Sequence, residues 1–203
     1  MLRALFHRCA IALLSLGLLA PGGASAALLS LVPDTGVASD GQSVAVDLLV
    51  SDLGNAGAPS VGAFSADIFF DMAALSFENY ALGGLLGNSA ARESVDISSG
   101  LSGSTVGLGE VSFLLPATLD ALQPDTFVLA TLNFTVLSLA PGQTTVLAIT
   151  PGALVSDTFG RGLDTATARG TITGSTPVPA PATLWLMLSA LLVRCAIQRR
   201  QPL

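Results

Sequence analysis

The chain has 203 residues, 14 of them acidic and 8 basic, and no lysine. All the acidic residues fall between Asp34 and Asp164, and within residues 27–173 only Arg92, Arg161 and Arg169 oppose them, so that span carries 3 − 14 = −11. Such a surface repels phosphate backbones and argues against nucleic acid as a partner; it suits solubility, hydrated cations or a basic partner.

Residues 1–26 read as an export signal. Arg3, His7 and Arg8 make a positive start, an apolar run spans residues 9–20, and Pro21-Gly22-Gly23 breaks it. Ala24-Ser25-Ala26 then places small residues where a signal peptidase reads, predicting cleavage between Ala26 and Ala27. The run is shorter than the ~20 residues of a membrane span, which disfavours the competing reading of an uncleaved anchor. Cys9 sits too early to be a lipobox cysteine.

Residues 27–173 show period-two alternation and short apolar runs broken by Gly, Pro, Asp and Asn. Val44, Val46, Leu48 and Val50 share one strand face, as do Phe64, Ala66, Ile68 and Phe70. Val128, Ala130, Leu132, Phe134 and Val136 share a third. Shorter strands are expected over 27–32, 75–80, 105–115, 143–150, 153–158 and 166–173, and 72–75 suits a helical turn. Turn residues fall between them at Asp40-Gly41, Gly54-Asn55, Gly83-Gly84, Gly87-Asn88, Gln123-Pro124-Asp125 and Ala140-Pro141-Gly142. About nine strands without strong helices predict an all-β, antiparallel β-sandwich or jelly roll. Without crossover helices a parallel sheet is not expected.

Residues 174–181 are Pro-, Gly- and Ser-rich and read as a linker. Residues 182–203 read as a hydrophobic helix with a basic end: a run apolar on every face, then Arg194, then Arg199-Arg200. The run alone is shorter than a full span, but Arg194 can snorkel and lengthen it, and the arginines predict a cytoplasmic C-terminus.

The order of Pro-rich motif, apolar helix and terminal arginines resembles the PEP-CTERM sorting signal of Gram-negative bacteria. The family motif is Val-Pro-Glu-Pro-Ala-Thr-Leu; here Val178-Pro179-Ala180-Pro181-Ala182-Thr183-Leu184 matches at all but Ala180. The resemblance implies recognition by an exosortase-type membrane protease, transient anchoring in the inner membrane, and sorting tied to exopolysaccharide production. The tail would then be removed and the protein left at the cell surface or outside the cell.

A second resemblance lies in the middle. It comprises the strand opening Asp40-Gly41-Gln42-Ser43-Val44-Ala45-Val46-Asp47, the segment Val61-Gly62-Ala63-Phe64 through Phe70-Asp71, and Leu75-Ser76-Phe77. The late strand Phe127 through Val136 with its Ala140-Pro141-Gly142 turn completes it. In this order and spacing they resemble a cohesin-type domain over residues 28–173, a family of jelly-roll sandwiches that bind protein partners. Phe70 stands where the family often has Tyr. Few polar residues on these strands suit a docking face, so dockerin binding does not follow.

Catalysis has little to work with. The only His and both Cys, His7, Cys9 and Cys195, lie in the two end segments, so residues 27–173 have no Ser-His-Asp or Cys-His arrangement, no disulfide and no N/S zinc site. No metal or cofactor is expected. Asp34, Asp40, Asp47 and Asp52 could hold calcium only if they converge, and no EF-hand spacing is present. A glycosidase pair would have to come from Asp67, Asp71, Glu78, Glu93, Asp96 and Glu110. The expectation is an exported, non-catalytic module that binds a protein or serves as a surface or matrix component. A carbohydrate-binding or adhesion module is the alternative, and a glycosidase-like enzyme comes after it.

Overall fold

Alternating side chains become two facing sheets. A computed structural model describes residues 27–53 and 60–176. Its strands are β1 (Ala27–Pro33), β2 (Val37–Ala38), β3 (Ser43–Ser51), β4 (Val61–Phe69), β5 (Leu75–Leu82), β6 (Ser94–Asp96), β7 (Gly100–Ser102), β8 (Thr105–Ser112), β9 (Phe127–Val136), β10 (Thr144–Ile149), β11 (Leu154–Asp157), β12 (Thr165–Ala168) and β13 (Gly170–Gly174). Among the described residues there is one α-helix, α1 (Pro116–Leu122). The first sheet has the order β12-β1-β3-β9-β5; the second follows β2-β13-β10-β4-β8-β6, with β11 also on β4 and β7 also on β8.

Thirteen strands among the described residues exceed the expected nine for a simple reason: several long strands are broken. β10 and β11 run in turn along one side of β4, and β6 and β7 along the far side of β8. The strand expected over 166–173 is two strands in different sheets: β12 pairs with β1, and β13 pairs with β10. Two pairs, β1 with β12 and β2 with β13, are parallel rather than antiparallel. They need no crossover helix, because the chain returns to each sheet by way of the other.

The alternation names most of the core correctly. Val44, Val46, Leu48 and Val50 from one sheet and Phe64, Ala66 and Ile68 from the other belong to one buried cluster. Phe134 meets the rings of Phe70 and Phe77 edge-on, at 5.1 and 5.7 Å between centroids. β9 departs from the expected face at its start. Leu48 pairs with Ala130 and Leu49 with Val128, so Leu129 is a bulge residue; Phe127 and Leu129 turn inward while Val128 does not. A bulge inverts the facing of the residues before it.

Three local features complete the frame. Asp71 closes the turn over 72–75: its carbonyl accepts from the amides of Ala74 and Leu75, and its Oδ1 accepts from Ala73 N at 2.9 Å. Gly83 is required by space, since a Cβ there would collide with the carbonyl of Val128. Helix α1 is an element the sequence pattern did not announce: β8 ends at Ser112, short of the expected Leu115, and the chain turns helical at Pro116. Pro116 opens it, a position where a missing amide costs nothing. It buries Leu119 and ends at Gln123, whose side-chain amide pairs with both N and O of Val61, at 2.7 and 2.9 Å, as a strand neighbour would.

Candidate functional site

The predicted processing residues fall mostly outside the described chain: Ala24, Ala26, Val178, Pro179, Ala180, Pro181, Arg194, Arg199 and Arg200 all do. Ala27 is within it and begins β1, donating its amide to the carbonyl of Asp164 at 2.8 Å. Among the described residues no helix is long and apolar enough to cross a membrane.

The two outer faces differ in chemistry. On the five-stranded sheet, small polar side chains satisfy one another, with exposed Val32 (44%) beside Asp47. Thr131 Oγ1 donates to Asp47 Oδ1 at 2.6 Å, Asn133 Nδ2 donates to Asn79 Oδ1 at 2.7 Å, and Thr135 stands between Ser43 and Ser76. On the eight-stranded sheet the outward positions include exposed apolar residues: Phe69 (46%), Val95, Ile97 (54%), Val146 and Leu154 (53%). Ser65, Asp67 and Thr105 lie between them at the centre. Isolated exposed apolar residues are ordinary; here several share one sheet face.

The edge of this face is built by two glycines that a strand pattern does not explain. Between β6 and β7 the chain bulges onto β8, and Ser98 Oγ accepts from Gly109 N and donates to Gly109 O, at 3.0 and 3.3 Å. A Cβ on Gly109 would come within 2.9 Å of Ile97 Cγ1, and one on Gly107 would collide with Ser99 Oγ. The missing side chains let residues 97–99 lie flat on the sheet.

Behind this edge stands an acidic pair. Asp96 and Glu110 are cross-strand partners on β6 and β8. Glu110 is 1% exposed, and its Oε2 has no hydrogen-bond partner among the described residues. Burial pushes its carboxyl up, a bond from Ser94 partly offsets this, and the charge of Asp96 adds to it. Burial would also raise Asp96, but the bonds from Ser98 and from the Tyr80 hydroxyl outweigh it and hold the carboxyl low. Ser98 N donates to Asp96 Oδ1 and Tyr80 Oη to Oδ2, both at 2.8 Å. Tyr80 belongs to β5, so this bond joins the free edges of the two sheets.

The other glycosidase candidates are dispersed. Glu93 Oε2 accepts from Asn88 N, Asp71 closes its turn, Glu78 is exposed on β5, and Asp67 lies on the outer face. The aspartates considered for calcium are dispersed. Asp34 Oδ1 accepts from Ala45 N, Asp40 Oδ1 from Leu139 N, and Asp47 Oδ1 from Thr131, while Asp52 adopts a left-handed φ of 58°. No cluster of three or more potential metal-ligating side chains occurs among the described residues. Asp96 and Glu110 are the glycosidase candidates brought together as cross-strand partners, and Glu110 is shut away from any sugar. Sequence reasoning missed Tyr80, Ser98, Gly107 and Gly109.

Two sheets packed face to face, with their inward faces sharing one core, define an all-β sandwich. Its fold is cohesin-like. The chain is similar to the solution structure of CaCohA2 from Clostridium acetobutylicum, with a TM-score of 0.59 and 20% identity over 76% of this chain and 94% of that one. It is similar to the sixth cohesin of Acetivibrio cellulolyticus scaffoldin B, solved in complex with a Cel5 dockerin, with a TM-score of 0.56 and 17% identity over 72% and 99%. It is also similar to a non-cellulosomal cohesin from Archaeoglobus fulgidus, with a TM-score of 0.53 and 17% identity over 73% and 91%. At these identities the likeness is one of fold. No protein-family model and no curated relative matches the sequence.

Proposed function

We propose that this chain is an exported, non-catalytic module that binds a protein partner through the outer face of its eight-stranded sheet. One observation carries the reading: Phe69, Ile97 and Leu154 are exposed on that face, whereas the polar groups of the opposite face are bonded to one another. Apolar side chains around a small polar centre are the composition of a protein contact, with the centre giving orientation. A sugar face would need aromatic platforms, and residues 27–173 hold no Trp.

The ends supply the address. Residues 1–26 direct export and are removed after Ala26. The motif Val178-Pro179-Ala180-Pro181 presents the chain to an exosortase-type protease, while the apolar run, with Arg194, Arg199 and Arg200, holds it in the inner membrane until release to the cell surface or matrix. Electrophoresis of the exported protein through gels containing host exopolysaccharide tests the partner class. Unretarded migration is expected, and retardation that Phe69→Asp abolishes would make the same face a carbohydrate site.

A further inference from the structure

Glu110 is a carboxylate in a core position. Its strand neighbour on β4 is Phe64, and the buried Ser94 lies on β6 beside it. Among the described residues, the groups around it offer no cation. β6 presents Asp96, β5 presents Tyr80 behind Asp96, and the turn over 84–86, which packs on β8, has no titratable side chain. Arg92 and Glu93, ahead of β6, are exposed, and Glu93 is engaged by the amide of Asn88. A buried carboxylate with an unpartnered oxygen and, among the described residues, no cation beside it is favoured in its protonated form.

The segment beside Glu110 is held to β8 by two short ladders, by Ile97 N on Gly109 O and by Ser98 on Gly109, and to the other sheet by one side-chain bond. β6 and β7 have three residues each, lie on the sheet edge, and are separated by the 97–99 bulge. The bond from Tyr80 to Asp96 is the latch to the other sheet. The same edge carries Val95 and Ile97, two of the exposed apolar residues of the proposed binding face.

We propose that residues 94–102 form a pH-sensitive flap on that face, latched by Tyr80 and Asp96 while Glu110 is protonated and released when Glu110 ionises. The inference rests on the protein-binding reading for its purpose, although the flap itself is defined without a partner. Its sign follows from linkage. A carboxyl raised in the closed state stabilises that state fully below its ordinary value and loses this contribution as pH rises towards the raised one. Between these two values, opening coupled to loss of one proton becomes about tenfold more favourable per pH unit. Asp96 sharpens the response, because its negative charge opposes a second one on Glu110.

Tyr80 is the sole tyrosine, so the full-length chain labelled with ring-13C tyrosine gives one signal that reports the latch. That signal, together with amide exchange of 94–102 corrected for intrinsic rates, is followed from pH 4.5 to 8.5. The expected result is a ring signal that moves with pH in the native chain and protection that falls in step, about tenfold per unit over the active range. Glu110→Gln should fix both at their low-pH values, and Asp96→Asn should abolish the bound ring position at every pH or move the midpoint towards acid. An invariant native signal, or a Glu110→Gln chain that titrates like the native one, would overturn the flap. Neither result bears on whether the face binds a protein, which is read with a partner at fixed pH.

Discussion

Glu110 and Phe64 stand opposite each other on β8 and β4, both facing the core, and both are almost completely buried. A carboxyl group thus occupies a position that the strand pattern reserves for an apolar side chain. The sandwich accommodates it next to Ser94 and behind Asp96, with its pKa raised by burial.

Stability should therefore depend on pH in a defined direction. Glu110 contributes most when protonated, so the native chain should lose melting temperature as pH rises from the ordinary glutamate value through the raised one. Glu110→Gln keeps the shape and cannot ionise. It should match the native melting temperature near pH 4 and exceed it at pH 7 to 8 in scanning calorimetry. Equal melting temperatures at both pH values would show that the carboxyl is not strained by its surroundings.

The 97–99 bulge should be sensitive to a single methyl group beneath it. Gly109→Ala places a Cβ 2.9 Å from Ile97 Cγ1 and also within 3.2 Å of the Phe64 carbonyl. Overpacking of this kind costs about 1–3 kcal/mol, to be read from urea unfolding. The cost should be accompanied by faster amide exchange across 94–102, and Ile97→Ala in the same chain should recover part of it.

Processing should follow the end segments. Amino-terminal sequencing of the exported protein should begin at Ala27, and intact mass should show the apolar tail removed. Because Ala27 N is bonded to Asp164 O within the folded sandwich, cleavage should precede pairing of β1 with β12. Slowing the signal peptidase should therefore leave an unprocessed chain whose β1 exchanges faster than that of the processed one. A mature protein that starts at Met1 and keeps Trp185 would contradict both end assignments.

The sandwich was legible where strands are regular. β3 alternates throughout and β4 does so from Gly62 onward, and their buried faces are those that periodicity assigns. It was less legible where a contact distant in sequence decides. The bulge at Leu129 depends on pairing with β3, and the turn at Arg169 depends on two sheets competing for adjacent segments. Pro116 is itself a local helix-start mark, but the apolar strand before it and the absence of a side-chain cap obscure it. The short β6 and β7 carry little hydrophobic pattern, being held by Ser98 and two glycines on β8. The binding face was hidden for a related reason. Alternation already sets Phe69 opposite the face of Phe64, Ile68 and Phe70, whereas the outward facing of Leu154 follows only from its pairing with Ser65.

The central claim is that the apolar outer face of the eight-stranded sheet meets a protein. It is tested most directly by site-specific photo-crosslinking in the native host, with benzoylphenylalanine placed in turn at positions 69, 154 and 133. The account predicts that positions 69 and 154 capture the same protein, that Ile97→Asp in the same chain weakens the capture, and that position 133 on the opposite face captures nothing. Capture from position 133 alone, or polysaccharide adducts without protein from 69 and 154, would contradict it.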